Sequence, residues 1–194
     1  IHQYTLEMNP INGYNFNNKG RVLKSMGENF GNAEYFMRAI DHYDRAIALD
    51  VNNAYFNLDK ANTLLNLGRT GEAFALCQNM SEKFVDFAVP RSYQGFIKMR
   101  AGDRKAAIKY FGEAVKLDWK RDLGSRALAA TNLGILKGQE KDDRGAVEAY
   151  QLAIESNPGF VDAYLNLANQ HLTHGRRGEA AMALRACAQA VPND

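Results

Sequence analysis

The sequence predicts an all-α fold built by repeating one helix-turn-helix unit about five times. Three observations carry that reading. Ala61 and Gly95 lie 34 residues apart, as do Gly134 and Ala168, and the same step links Ala73 to Ala107 and Ala146 to Ala180. Gly102 and Gly175 stand where a first helix would end, because glycine takes the left-handed backbone conformation without a Cβ penalty. Pro158 and Pro192 stand where a second helix can no longer continue. A fixed period of this length marks stacked helix pairs, each too small to bury its apolar face alone.

Taken in order, residues 1–12 read as the tail of a preceding unit or a capping helix, since Asn9-Pro10 falls where such a unit would end and the chain opens on Ile1. In 13–53, Phe16, Lys19, Gly20, Leu23 and Gly27 give a first helix. Ala39, Tyr43 and Ala46 then arrive seven residues late, about two helical turns, so the second helix is expected to be lengthened at its start, from about Asn32 to Asp50. Residues 54–87 keep Ala61, Gly68 and Ala73 but place Cys77 and Met80 at core positions and Val85 where a proline would stop the helix. Residues 88–126 carry Gly95, Gly102, Ala107, Phe111 and Ala114, with a five-residue surplus after Trp119 that forms a longer connection capped by Asp122 or Ser125. Residues 127–160 carry Leu133, Gly134, Ala146, Tyr150, Ala153 and Pro158; residues 161–194 carry Tyr164, Leu167, Ala168, Gly175, Ala180, Leu184, Cys187 and Pro192. The small residue on each first helix and the first alanine on each second are read as close crossings, with the large residue one turn later filling the space beside them.

With 46% hydrophobic residues and 4 prolines in 194, the composition is that of an ordered helical chain, expected as one continuous array whose units touch only their neighbours. No 18-residue apolar run is present to span a membrane. No signal peptide is visible, so the default expectation is a cytoplasmic location, with periplasmic or secreted placement left open by the start at Ile1. Cys77 and Cys187 are expected to be buried, reduced packing residues. Charge is uneven: ten basic against four acidic residues between Ala88 and Arg126 make that stretch +6 in a chain of net +2. Such a patch suits a solvated face or an acidic partner.

The sequence offers no constellation for catalysis, metal or cofactor binding. Its glycines follow the repeat and form no phosphate-cradling loop. His171 and His174 are one turn apart, but a zinc site needs three or four ligands; His171 is read as a packing residue and His174 as favoured at a helix end. Glu140, Asp142 and Asp143 are read as turn and helix-start residues, because a turn tip does not split the pKa values of paired carboxylates. The expectation is a protein without enzymatic activity and without cofactors. RNA binding through the basic third unit is a distant alternative, since its cations are concentrated in one unit.

These spacings resemble the tetratricopeptide repeat (TPR) family. The resemblance implies a right-handed superhelix whose first helices line a concave groove that binds a peptide or a partner's helix. Its groove-lining places fall on Tyr14, Asn17, Asn18, Arg21 and Lys24 in the first unit and on Tyr55, Asp59, Asn62 and Asn66 in the second. They fall on Tyr93, Phe96, Met99 and Arg100 in the third, on Asn132 and Ile135 in the fourth, and on Asn166, Asn169 and Leu172 in the fifth. A carboxamide both donates and accepts, so Asn18, Asn132 and Asn166 resemble rungs of the asparagine ladder in the array of O-linked N-acetylglucosamine transferase, interrupted at Asp59 and Tyr93. Asparagine is also simply common at that place. Chaperone-type arrays hold a terminal carboxylate with lysines, asparagines and an arginine. Here the matching places carry Asn17, Arg21, Asp59, Val89 and Tyr93, so a chaperone-tail receptor is not expected. Ala181, Leu184, Ala188 and Val191 on the last helix form a possible end interface, and with it a homo-oligomer. The expected function is a non-catalytic protein-interaction scaffold; the alternative is a segment of a larger protein that drives self-assembly or recruits substrates.

Overall fold

The computed structural model describes residues 12–117, 119 and 122–191, and among these the regular structure is ten α-helices. The expected tail or cap at the start of the chain lies outside the described residues. Contacts divide the chain into two compact units, one ending at Met80 and one beginning at Ser81.

The first unit holds α1 (Gly13–Phe30), α2 (Ala33–Leu49), α3 (Ala54–Asn66) and most of α4 (Thr70–Lys83). Asparagine starts three of these helices: Asn12 Oδ1 accepts from the Asn15 amide, Asn32 Oδ1 from Glu34 and Asn53 Oδ1 from Tyr55. Each satisfies an otherwise orphaned first-turn donor. Tyr43, Phe56 and Leu64 are fully buried here, each contributing about 1.5–3 kcal/mol of apolar burial. The second helix is capped at Asn32 and Asp50, where the sequence places its ends, and the seven extra residues lengthen the first helix as well. Gly27 does not end α1. It is buried within the helix against the Phe36 ring of α2, so α1 runs one turn further and ends at Gly31, which takes φ +62°.

The second unit holds α5 (Ala88–Arg100), α6 (Arg104–Ala114), α7 (Leu123–Gln139), α8 (Asp143–Ser156), α9 (Val161–Thr173) and α10 (Arg177–Ala190). Aspartates take over the capping: Asp103, Asp122 and Asp142 accept from Ala106, Ser125 and Gly145. With Asp122 as the cap, part of the surplus after Trp119 is an added first turn of α7. Trp119 itself is buried and donates from Nε1 to the Ala114 carbonyl at 2.9 Å, closing the end of α6. Phe111, Leu133, Leu136 and a set of alanines form the main apolar cluster of this unit; Tyr150, Leu167 and Ala168 join α8, α9 and α10 in a second. Gly102 and Gly175 take φ +78° and +71° at the ends of α5 and α9.

Candidate partner-binding groove

In the first unit, α1 and α3 stand side by side and present polar faces to one surface depression of about 650 Å³, lined by Asn18, Arg21, Val22, Lys24, Ser25, Glu28, Asp59 and Asn62. Five of the nine expected groove residues of this unit therefore meet in one place. Asn17 is a correction: it is buried, and its Nδ2 donates to Asp59 Oδ2 at 2.8 Å, so it braces α1 against α3 rather than facing a partner. Asn66 lies off the depression and donates to Glu28 Oε1 at 2.9 Å, and Lys24 Nζ meets the same oxygen at 3.1 Å. Those two donors hold the Glu28 carboxyl below the usual carboxylate range, Lys24 foremost. Tyr14 stands at the other end, its ring edge-on to Phe56 at 5.2 Å and its hydroxyl accepting from Asn53. Tyr55 is exposed nearby.

Two groups of side chains result. Glu28 and Asp59 are already partnered, which fixes the walls. Asn18, Arg21 and Asn62 make no hydrogen bond or ion pair among the described residues and point a guanidinium and two carboxamides at the open space.

In the second unit, α7 and α9 line a depression of about 550 Å³ that gathers Ile135, Asn166, Asn169 and Gln170 with Tyr150, Lys141 and His174. Asn166 is partly spent, its Nδ2 donating to the Asp162 carbonyl at 2.7 Å. Asn132 is half-buried on α7 and does not line the depression. Phe96 is exposed on α5, with the Arg100 guanidinium 5.8 Å over its ring. Part of the third unit's basic patch is used locally: Arg91 pairs with Glu113, Arg104 with Glu140, and Arg126 donates to the Val115 carbonyl. Lys120 and Arg121 lie outside the described residues.

A contact that helical spacing alone misses lies beside this second depression. His174 Nε2 meets Asp143 Oδ2 at 2.8 Å, while Gln170 donates to the other oxygen of Asp143 at 2.9 Å. His171 keeps the packing role; burial, then Arg176, lowers its proton affinity. No cluster of three His, Cys, Asp or Glu side chains able to hold a metal occurs among the described residues. Ala181, Leu184 and Ala188 on α10 and Val191 at its C-cap are all exposed, with Met182 beside them. Cys77 is buried, whereas Cys187, expected to be buried as well, is only half-buried.

A family model for the tetratricopeptide repeat matches residues 26–80 and 141–194, more than half of the chain, and the chain belongs to that family. Its fold resembles that of the MamA protein (TM-score 0.67, 21% identity, covering 92% of this chain and 91% of that one). It also resembles YrrB, described as a TPR protein with an unusual peptide-binding site (TM-score 0.60, 21% identity, 92% and 86% covered). Yeast Tom70 superposes with TM-score 0.77 at 17% identity over 94% of this chain but 37% of its own length. No curated protein matches the sequence. At these identities the likeness is one of fold alone. No helix among the described residues is long and apolar enough to cross a membrane.

Proposed function

We propose that this chain is a non-catalytic protein-interaction scaffold that holds an extended peptide or a partner's helix along its first helices. The observation that carries this reading is the set of uncommitted donors and acceptors in the first-unit depression. Asn18, Arg21 and Asn62 have no hydrogen-bond or ion-pair partner among the described residues, while the acids beside them are already fixed by Asn17, Lys24 and Asn66. A surface whose walls are held and whose central groups are free gives up little side-chain order on binding. The likeness to YrrB, named for a peptide-binding site, supports the same reading.

The test is selection of a displayed peptide library on the protein, followed by affinity measurement on the Asn18→Ala/Asn62→Ala double variant and on Arg21→Glu. Selected peptides are expected to lose about tenfold in affinity, roughly 1.4 kcal/mol. Recovery of no peptide, or peptides indifferent to all three positions, would overturn the reading.

A further inference from the structure

Two of the glycines on first helices lie under a tyrosine of the second helix, Gly20 under Tyr43 and Gly134 under Tyr150. The two hydroxyls meet different surroundings. Tyr43 is fully buried and does not line the first-unit depression. Burial, and then the charge of Asp59, push its proton affinity up, which places Asp59 close by. There Asn17 of α1 donates to Asp59 of α3 at 2.8 Å and ties the two first helices together.

The repeat carries those two places into the second unit. Asn17 stands three residues before Gly20, as Thr131 does before Gly134; Asp59 stands two before Ala61, as Asn166 does before Ala168. Thr131 and Asn166 make no such tie. Thr131 is the shorter side chain, and its Oγ1 is buried without a partner. Asn166 spends its Nδ2 on the Asp162 carbonyl of its own helix at 2.7 Å. Tyr150, only 3% exposed, lines the depression between α7 and α9, and its hydroxyl has no hydrogen-bond partner among the described residues. Burial keeps the proton on that hydroxyl. A nearly buried O–H left unpaired is costly, so a ligand atom that pairs with it is favoured.

The walls of this depression are α7 and α9, and Tyr150 of α8 is its floor, so all three elements that form it are in place. A peptide main chain lying across the first helices stays above the hydroxyl; a side chain reaches it. That side chain must accept from the Tyr150 O–H. It must also donate, because Asn166 adds Oδ1, the acceptor left once its Nδ2 is engaged. A carboxylate donates nothing and an ammonium accepts nothing, whereas a carboxamide does both. Serine, threonine and asparagine offer such groups on a shorter stem. Net charge favours no ion either, since Lys141 and Asp143 set one charge of each sign on the lining, and Asp143 is already held by His174 and Gln170. We propose that the second-unit depression is a separate binding site for a glutamine side chain of a partner peptide, its carboxamide accepting from the Tyr150 hydroxyl and donating to Asn166 Oδ1. Its methylenes lie against Ile135, which follows Gly134 as Arg21 follows Gly20, so the two depressions select different residues. The proposal rests on the reading of the first helices as the peptide-holding face, but on other residues.

The probe is a set of acetylated, amidated heptapeptides of Ala and Ser with Gln, Glu, Met or Lys at the centre, titrated into the whole chain and followed by two-dimensional amide NMR. The Gln peptide is expected to shift the side-chain amides of Asn166 and Asn169 and to bind about tenfold tighter than the other three. Tyr150→Phe keeps the ring over Gly134 and removes only the hydroxyl. It is expected to bring the Gln peptide down to the level of the Met peptide, while the melting temperature of the free protein holds or rises, because the hydroxyl has no partner to lose. Tyr43→Phe is expected to leave the preference intact. Equal affinities for the Gln and Met peptides overturn the proposal, as do a preference that survives in Tyr150→Phe, a lowered melting temperature in that variant, or no response to the Gln peptide. A Gln preference lost in Asn18→Ala/Asn62→Ala but kept in Tyr150→Phe overturns this inference alone and leaves the groove reading standing.

Discussion

The ring of Tyr150 fills the space that Gly134 leaves empty: a Cβ built on Gly134 would stand 2.5 Å from Tyr150 Cε1. The same fit recurs between Gly20 and Tyr43 and between Gly95 and Phe111. Where the first helix carries alanine instead, at Ala61 and Ala168, the equivalent second-helix residue is the smaller Cys77 or Leu184. Gly20, Gly95 and Gly134 thus each lie under a ring of the second helix, so the glycines answer to that ring rather than to a bare backbone crossing.

That matching makes Gly134→Ala destabilising although alanine is the better helix former. Overpacking costs about 1–3 kcal/mol and helix propensity returns up to about 1, so a net loss of about 1–2 kcal/mol is expected in urea unfolding. Gly134→Ala/Tyr150→Leu, which copies the Ala168–Leu184 combination, is expected to cost less than the two single changes together, by at least about 0.5 kcal/mol of coupling. Strict additivity would sink the matching.

Lys141 takes φ +63° at the turn between α7 and α8, where Gly68, Gly102 and Gly175 serve the equivalent turns. A residue with a Cβ is strained there by about 1 kcal/mol or more, and glycine's greater unfolded-state freedom offsets part of that. Lys141→Gly is therefore expected to stabilise the fold by a few tenths to about 1 kcal/mol in the same assay. Gly102→Ala is expected to move it the other way by about 1 kcal/mol. Since Lys141 also lines the second-unit depression, the stabilised variant is expected to bind selected peptides less well. Unchanged stability in both variants would refute the argument from strain.

The period and the left-handed glycines at Gly102 and Gly175 were legible because each depends on one residue type at one interval, whereas the sequence left the cap of α7 between Asp122 and Ser125, and the structure gives it to Asp122. The extension of α1 past Gly27 was not, because a glycine packed under Phe36 and a glycine ending a helix look alike in sequence. Asn17 was assigned to the groove since helical phase places a polar residue on a face but does not reveal its partner, Asp59, 42 residues away. The contact of Asp143 with His174 crosses from one repeat to the next in the same way, and only the stacking brings those side chains together.

Acid is expected to weaken the fold in two steps. His42 and His171 both have proton affinities lowered by burial and then by nearby cations, against an unfolded value of about 6.5. The unfolded chain therefore takes up protons first, so their contribution is complete above about pH 6.5 and is lost as pH falls through the lower folded values. Asp142, held low chiefly by the Gly145 amide and by Lys137, and Glu28 contribute in the same direction, but only below about pH 4. Melting temperature measured from pH 8 to pH 5 should fall, and His42→Gln/His171→Gln should flatten that first step. An unchanged slope in the double variant would remove the histidines from the account.

The two cysteines should differ sharply in reactivity. Burial pushes the Cys77 thiol up to about 12 and leaves it fully enclosed between the helices of the second repeat, so almost no thiolate forms near neutral pH and reagents cannot reach it. Cys187 is half-buried on α10. Ellman's reagent is expected to titrate one thiol quickly in the native protein and both in denaturant, with Cys187→Ser abolishing the fast phase. Cys77 should react at the rate at which its helices open, so destabilising changes such as Gly20→Ala in the first unit should accelerate it. Rapid native-state reaction of both thiols would mean that α3 and α4 do not enclose Cys77.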